Sequence, residues 1–154
     1  MSWTNLENKV VVVTGGAAGI GLAVVKGFVE GGAKVMIADF AEEVGVQAVE
    51  EANQAGSGEA AFAKCDVTSK EDVDGLVKAT IDRWGSIDVL VNNAGINIPR
   101  LLVDPAGKEE MTEDVWDKVF AVNVKGQFLC AQAASRQMLA SGNGGVLINM
   151  SSES

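Results

Sequence analysis

Short apolar runs recur along the chain and alternate with stretches whose apolar residues have helical spacing. The first run, from Lys9 to Thr14, contains four consecutive valines. A run without polar alternation is typical of a strand that is covered on both faces in a parallel sheet. The same pattern predicts four further strands, at Lys34 to Ala38, Ala60 to Lys64, Ile87 to Val91 and Val146 to Met150.

The intervals between the strands have the apolar spacing of helices. Helices are predicted from Ile20 to Gly31-Gly32, from about Glu42 to Ala55, from Ser69 to Trp84 and from about Thr112 to Ala140. The apolar positions of the first helix that fall at helical spacing are Ile20, Ala23, Val24, Gly27 and Phe28. The second half of the last helix places Val124, Phe128, Ala131, Ser135 and Met138 on one face.

Strands that alternate with helices pair in parallel through right-handed crossovers. We therefore predict an α/β fold, namely a doubly wound, Rossmann-type parallel sheet with helices on both faces. The length of 154 residues suits one domain. Residues 1–154 are expected to form this single domain, truncated after the fifth strand, which is left as a bare apolar edge.

Composition and charge exclude several functions. The chain has no histidine, which removes Ser-His-Asp and Cys-His catalysis and zinc sites with imidazole ligands. Its net charge of −9 opposes binding to nucleic acid. Cys65 and Cys130 are isolated, as expected for buried thiols in a reducing compartment. Because no apolar leader or run of eighteen apolar residues occurs, we predict a cytoplasmic protein without a membrane partner.

A glycine-rich turn follows the first strand and leads into the first helix. Its sequence is Thr14-Gly-Gly-Ala-Ala-Gly-Ile-Gly21. In this position glycines allow backbone amides and a helix N-terminus to approach a pyrophosphate. Asp39, at the end of the second strand, can accept both hydroxyls of an adenosine ribose. Residues 16–18 and 40–41 contain no cation for a 2′-phosphate, so the predicted cofactor is NAD.

These residues, together with four further motifs in the same order, resemble the short-chain dehydrogenase/reductase family in its single-domain branch. The further motifs are Asp66-Val67, Asn92-Asn-Ala-Gly95, Asn123 within Val-Asn-Val-Lys-Gly, and Ile148-Asn-Met-Ser-Ser152. The resemblance implies a dinucleotide-binding domain of a longer enzyme and a homo-oligomer, a dimer or tetramer, in which the helix from Thr112 to Ala140 contacts a second subunit. The cofactor-binding residues that it implies are Gly15, Ala18, Gly19, Ile20, Gly21, Asp39, Phe40, Asp66, Val67, Asn93, Ala94 and Gly95.

The resemblance also implies catalytic roles. Ser152 would hold the substrate oxygen and Asn123 would anchor a proton-relay water. Hydride transfer between nicotinamide and a secondary alcohol or ketone needs a hydroxyl donor and a proton source, but no metal. In the family that source is a tyrosine beyond the serine, with a lysine four residues later. The chain contains no tyrosine, so we expect it to be inactive alone.

The segment from Ile96 to Met111 is similar to that of the polyol and sugar-phosphate dehydrogenases of the family, which predicts such a small-molecule substrate. Arg100 lies in this segment, and a contact between its guanidinium and a substrate phosphate is a hypothesis. Two alternatives remain. The missing tyrosine permits a non-catalytic NAD-binding redox sensor, and a structural fragment without a nucleotide would show no NAD binding in calorimetry.

Overall fold

The computed structural model describes residues 5–152, so residues 1–4 and 153–154 of the predicted domain lie outside the described part. The strands of the sheet are Val10–Thr14 (β1), Lys34–Asp39 (β2), Glu59–Lys64 (β3), Val89–Asn92 (β4) and Val146–Asn149 (β5). The helices are Gly19–Glu30 (α1), Glu42–Asn53 (α2), Lys70–Trp84 (α3), Glu113–Phe120 (α4) and Gly126–Ser141 (α5). A π-helical turn, Ala121–Lys125, joins α4 to α5.

The sheet has the order β3-β2-β1-β4-β5, and all of its strand pairs are parallel. Alternate β1 residues face opposite layers: Val12 packs in a cluster with α3 and α5, while Val11 and Val13 pack with α1 and α2. Because both faces are covered, β1 is fully buried and consists of four valines followed by Thr14. The predicted doubly wound fold is confirmed. The order in which strands are added to the sheet reverses between β1 and β4. Doubly wound sheets open a crevice for ligands at this position.

The buried face of α1 is offset by about one position from the apolar positions at helical spacing. Ile20 is 68% exposed, and the buried residues are instead Gly21, Val25 and Val29. Gly21 sets this rotation because its missing side chain lets α1 approach the carbonyl of Gly15. A pattern of apolar side chains cannot identify Gly21 as a buried position, because a glycine packs through its backbone.

The predicted single helix from 112 to 140 is interrupted by the π-helical turn. A π turn adds one residue to the helix and shifts the phase of all residues after it. Val124 and Phe128, which the sequence pattern places on one face with Met138, are 56% and 57% exposed, whereas Met138 is buried. The buried face of α5 also contains Gly126, Leu129, Cys130, Ala133 and Ala134.

β5 pairs with β4 and forms an edge of the sheet. Its residues are exposed, including Val146, Leu147 and Ile148. The exposed apolar edge predicted from the sequence is therefore present in the described structure. Within residues 5–152, the helices are too short or too polar to cross a bilayer.

Candidate functional site

A cavity of about 640 Å³ opens at the carboxyl ends of β1 to β4. We call it the strand-end cavity. Gly19 is the single residue of the twelve predicted for cofactor binding that is not part of its wall. The other eleven line it: Gly15, Ala18, Ile20, Gly21, Asp39, Phe40, Asp66, Val67, Asn93, Ala94 and Gly95.

The N-terminus of α1 forms one wall of this cavity and has neither a side-chain cap nor an acidic residue in its first turn. Its N-cap residue is Ala18. The first turns of α2, α3 and α4 each contain two acidic residues. The amides in the first turn of a helix lack intrahelical partners and carry the positive end of the helix dipole. This terminus can therefore hold an anion.

Two glycines shape the start of α1 beside this cavity. Gly19 has φ +54°, a left-handed conformation that other residues adopt at a cost, and a Cβ there would meet no protein atom within 4 Å. Gly21 lies so close to the Gly15 carbonyl and the Asn93 amide that a Cβ would overlap both. The backbone of the turn is thus accessible from the cavity while α1 is packed tightly behind it.

Asn93 holds the glycine turn against β4. Its Nδ2 donates to the carbonyl oxygens of Thr14 and Gly15, at 3.1 and 3.0 Å. The Thr14 hydroxyl oxygen accepts from the backbone amides of Asn93 and Ala94, both at 3.1 Å. The Asn92-Asn-Ala-Gly95 motif therefore fixes the position of the turn as well as lining the cavity.

Asp39 ends β2 beside the glycine turn and lines the cavity. Its Oδ2 accepts from the backbone N–H of Ala17 and its Oδ1 from that of Ala41, both at 3.1 Å. These bonds orient the carboxylate, and each oxygen keeps a lone pair for a further donor. A ribose with two free hydroxyls supplies donors of this kind.

The far end of the cavity contains Phe40, Cys65, Asp66 and Val67. Asp66 Oδ1 accepts from both the amide and the hydroxyl of Thr68, at 2.9 and 2.7 Å. Burial raises the pKa of the Cys65 thiol to about 12, so this sulfur lines the cavity as a neutral group. The surface combines apolar walls with an oriented carboxylate, which suits a flat heteroaromatic ring that carries an amino group.

A second cavity, of about 750 Å³, adjoins the first and shares Ile20, Asn93, Ala94, Gly95 and Ile96 with it. Asn123 and Ser152, the predicted catalytic pair, both line this adjoining cavity. Asn123 lies in the π-helical turn, where its Oδ1 accepts from the Ile96 amide and its Nδ2 donates to the Ile96 carbonyl, both at 2.8 Å. Ser152 follows β5 and is exposed. The structure thus places the two residues around one space.

Arg100 is not brought into either cavity. It is exposed, and its Nη1 donates to the carbonyl of Pro99 at 2.8 Å. The loop beyond it is organised by Asp104, which accepts from the amides of Ala106, Lys108 and Glu109. These bonds, that of Glu109 first, lower the pKa of the Asp104 carboxyl. The described contacts of Arg100 give no support to the phosphate hypothesis.

Five residues of the strand-end cavity were missed by the sequence analysis. Ala38 and Cys65 lie at or beside strand ends, where a stricter use of the strand-end rule would have found them. Lys118 matters most, since it adds a cation to a cavity whose sequence signature had none near the ribose. The remaining two are Ile96 and Val122.

Comparison with known proteins identifies the family. Residues 9–154 match the model of the short chain dehydrogenase family. The chain is 41% identical to sorbitol-6-phosphate 2-dehydrogenase of Klebsiella pneumoniae over 99% of its own length and 55% of the relative's. It is 42% identical to sorbitol dehydrogenase of Cereibacter sphaeroides over 96% of its own length and 54% of the relative's.

The fold gives the same result. The structure of a short chain dehydrogenase from Mycobacterium smegmatis superimposes with a TM-score of 0.85 at 36% identity, covering 92% of this chain and 57% of that one. The chain spans about half the length of the curated relatives that it matches. On the family match and this fold, the chain belongs to the short-chain dehydrogenase family, whose Rossmann-type domain binds a nicotinamide cofactor.

Proposed function

We propose that the chain is the N-terminal part of an NAD-dependent oxidoreductase that transfers a hydride between nicotinamide and a secondary alcohol or ketone. The observation that carries the proposal is the N-terminus of α1, which has no side-chain cap and no acidic residue in its first turn and lines the same cavity as Asp39, whose carboxylate accepts from the Ala17 amide of the glycine turn. An anion-binding helix end next to an oriented carboxylate matches a diphosphate joined to a ribose.

The residues present fit the cofactor. Amides at the start of α1 would bind the diphosphate, Asp39 the adenosine ribose, and Asp66 with Val67 and Phe40 the adenine. Asn93, Ala94 and Gly95 lie between the two cavities and would position the nicotinamide end. When bound, the cofactor supplies the hydride acceptor or donor.

Ser152 and Asn123 are proposed to act in the adjoining cavity. The Ser152 hydroxyl would donate to the substrate oxygen as negative charge develops there. The Asn123 side chain is bonded to the Ile96 backbone, so Asn123 would act through the backbone of its π-helical turn, which would hold the relay water. The proton donor, a tyrosine in this family, would lie in the half of the relatives that this chain does not cover. We therefore propose that the 154 residues alone do not turn over.

A polyol is the proposed substrate. Two similar proteins are named sorbitol-6-phosphate 2-dehydrogenase and sorbitol dehydrogenase. The described wall of the adjoining cavity is formed by amide, hydroxyl and apolar side chains, including Asn97, Asn123 and Ser152, and contains no cation. Such a wall favours the neutral hydroxyls of a plain polyol over a phosphate ester.

A homo-oligomer is proposed from the outer face of α4 and α5. Trp116, Phe120, Val124 and Phe128 follow one another at intervals of four residues, and all are at least 44% exposed. The stacked rings of Trp116 and Phe120 begin this stripe, with centroids 4.6 Å apart. An apolar stripe of this length on a soluble enzyme is best explained by a second copy that covers it.

The cofactor proposal is tested with the full-length protein by calorimetry with NAD and NADP. We expect NAD to bind more tightly, because the Asp39 carboxylate accepts the ribose hydroxyls and repels a 2′-phosphate. Asp39→Asn keeps an acceptor for the turn but removes the charge, and should lower the NAD-to-NADP affinity ratio about tenfold or more. Tighter binding of NADP, lost in Lys118→Met, would contradict the proposal and assign the cation at the cavity wall to the phosphate.

Turnover is tested on the same preparation with sorbitol, sorbitol 6-phosphate and 2-butanol. Reduction of NAD with either polyol supports an alcohol dehydrogenase. NAD binding without turnover on any alcohol or ketone would favour the redox sensor instead. An Arg100→Ala variant that loses activity on the phosphate ester alone would restore the phosphate hypothesis.

A further inference from the structure

A closed set of hydrogen bonds joins β4, β5 and α5 beneath the adjoining cavity. Asn92 Nδ2 donates to the backbone carbonyl of Gln127, at 3.3 Å. Gln127 Nε2 donates to the carbonyl of Met150, at 3.2 Å. The Met150 amide donates back to the Asn92 carbonyl, at 2.9 Å. Asn92 Nδ2 also donates to Asn149 Oδ1, at 2.9 Å. We call these three residues with Asn149 the amide ring.

The amide ring connects the two predicted catalytic residues. Met150 is two residues before Ser152, and Gln127 is four residues after Asn123, on the next turn of the same helical segment. The bond from Gln127 to Met150 is therefore a direct side-chain link between the segment that carries Ser152 and the segment that carries Asn123. Gln127 also lines the adjoining cavity, as do Asn123 and Ser152.

The link matters because Ser152 has little else to hold it. β5 is four residues long, exposed, and paired with β4 alone among the described strands. A single backbone bond, from Met150 to Asn92, continues the ladder past its end. Misplacing a catalytic group by about 1 Å can cost as much as 100-fold in rate. A donor that fixes the Met150 carbonyl also fixes the direction in which the chain leaves for Ser152.

We propose that Gln127 is a positioning residue that holds Ser152 in its catalytic place through the Met150 carbonyl. This inference rests on the proposed function, since it assigns Gln127 a role in the same reaction. Gln127 acts on the backbone of the Ser152 segment and makes no bond to the reacting atoms.

The test uses the full-length protein and compares Gln127→Glu, Ser152→Ala and the double variant. Glutamate is nearly isosteric but presents an acceptor to the Met150 carbonyl, so the link is lost and replaced by repulsion. We expect kcat to fall about tenfold or more while NAD affinity and the Tm stay close to those of the wild type. In the Ser152→Ala background the same change should have almost no further effect, since the group that it positions is absent.

Two variants complete the design. Gln127→Lys retains an N–H donor of similar reach and should recover most of the lost kcat. Gln54→Glu makes the same substitution at the exposed end of α2, away from both cavities, and should leave turnover unchanged. It controls for the change in net charge.

The outcomes distinguish this inference from the proposed function. If Ser152→Ala has no effect on turnover, or no alcohol is oxidised, the proposed function fails. If Ser152→Ala impairs turnover but Gln127→Glu does not, or the two effects multiply, the positioning role is wrong. Multiplying effects would mean that Gln127 contacts the substrate independently, and a parallel loss of Tm and NAD affinity would mean a structural role only.

Discussion

Helices α1 and α3 start at the same edge of the sheet, but their first turns differ in how the free backbone amides are satisfied. At α3, the Ser69 hydroxyl accepts from the Asp72 amide at 3.2 Å, and Glu71 and Asp72 place negative charge at the helix start. At α1 the first turn has neither a side-chain cap nor an acidic residue of its own, and Ala18 is exposed beside the strand-end cavity. Side chains of the helix and its cap therefore stabilise the start of α3, whereas the first-turn amides of α1 remain available to a ligand.

The difference shows how a binding site can be recognised from what a sequence omits. A capping residue stabilises a helix by about 1 kcal/mol, so its absence at α1 is a cost in the unliganded protein. The same absence keeps amides and the positive helix end available to an anion. In the proposed function the glycine turn and Asp39 select the anion, because the Asp39 carboxylate, held by the Ala17 amide, would bind a ribose joined to it.

The largest effect is expected from Gly21→Ala, which changes the packing of the first turn of α1 against the glycine turn. A Cβ at residue 21 overlaps the Gly15 carbonyl, so α1 must move away from the turn. We expect a loss of stability of about 3 kcal/mol and no measurable NAD binding. Thermal unfolding and calorimetry of the full-length protein measure both.

Gly27→Ala is the matched control, since it makes the same change in the same helix. A Cβ there meets no atom within 4 Å, so stability should rise by up to about 1 kcal/mol from helix propensity, with NAD affinity unchanged. If Gly21→Ala behaves like this control, the tight approach of α1 to the turn is not required.

Ala18→Asp should make α1 resemble α3. The extended backbone of Ala18, with φ −150° and ψ 169°, is the conformation of an N-cap residue, so the new carboxylate can accept from the first-turn amides. We expect about 1 kcal/mol of added stability together with a loss of NAD affinity of about 100-fold or more, because the carboxylate occupies those amides and repels the diphosphate. Unaltered NAD affinity in a stabilised variant would show that the diphosphate binds elsewhere.

Ser69→Ala should make α3 resemble α1, with the smallest effect. Losing the cap should cost about 1 kcal/mol of unfolding free energy, and NAD affinity should change little because Ser69 is outside the strand-end cavity. Ser57→Ala, at an exposed loop serine, gives the baseline for removing a hydroxyl. A loss of affinity as large as that of Ala18→Asp would mean that α3 reaches the cofactor after all.

The parts of the fold that follow from local chemistry were predictable. The valine run of β1, the Ser69 cap and the order of strands and helices lead directly to the observed sheet. The cavity follows from the same rule, because strand-end residues such as Asp39 and Asp66 must meet at one edge. These predictions depend on adjacent residues and on the handedness of crossovers, both of which the sequence contains.

The rotation of helices was not predictable in the same way. The core face of α1 depends on the contact between Gly21 and a carbonyl six residues earlier, and that of α5 on a π turn that has no apolar signature. Lys118 was missed for the same reason, since its approach to the cavity depends on the orientation of α4. The amide ring joins residues 23 to 57 positions apart, and no local pattern reports such pairings.

The position of β5 at the edge of the sheet has a consequence for how the proposed site becomes ordered. A strand that pairs with this edge would supply hydrogen bonds to the strand that leads to Ser152. Ordering of Ser152 and completion of the sheet would then be thermodynamically linked, so a ligand that binds Ser152 would tighten the association of the polypeptide that pairs with β5, whether it is continuous with this chain or added in trans.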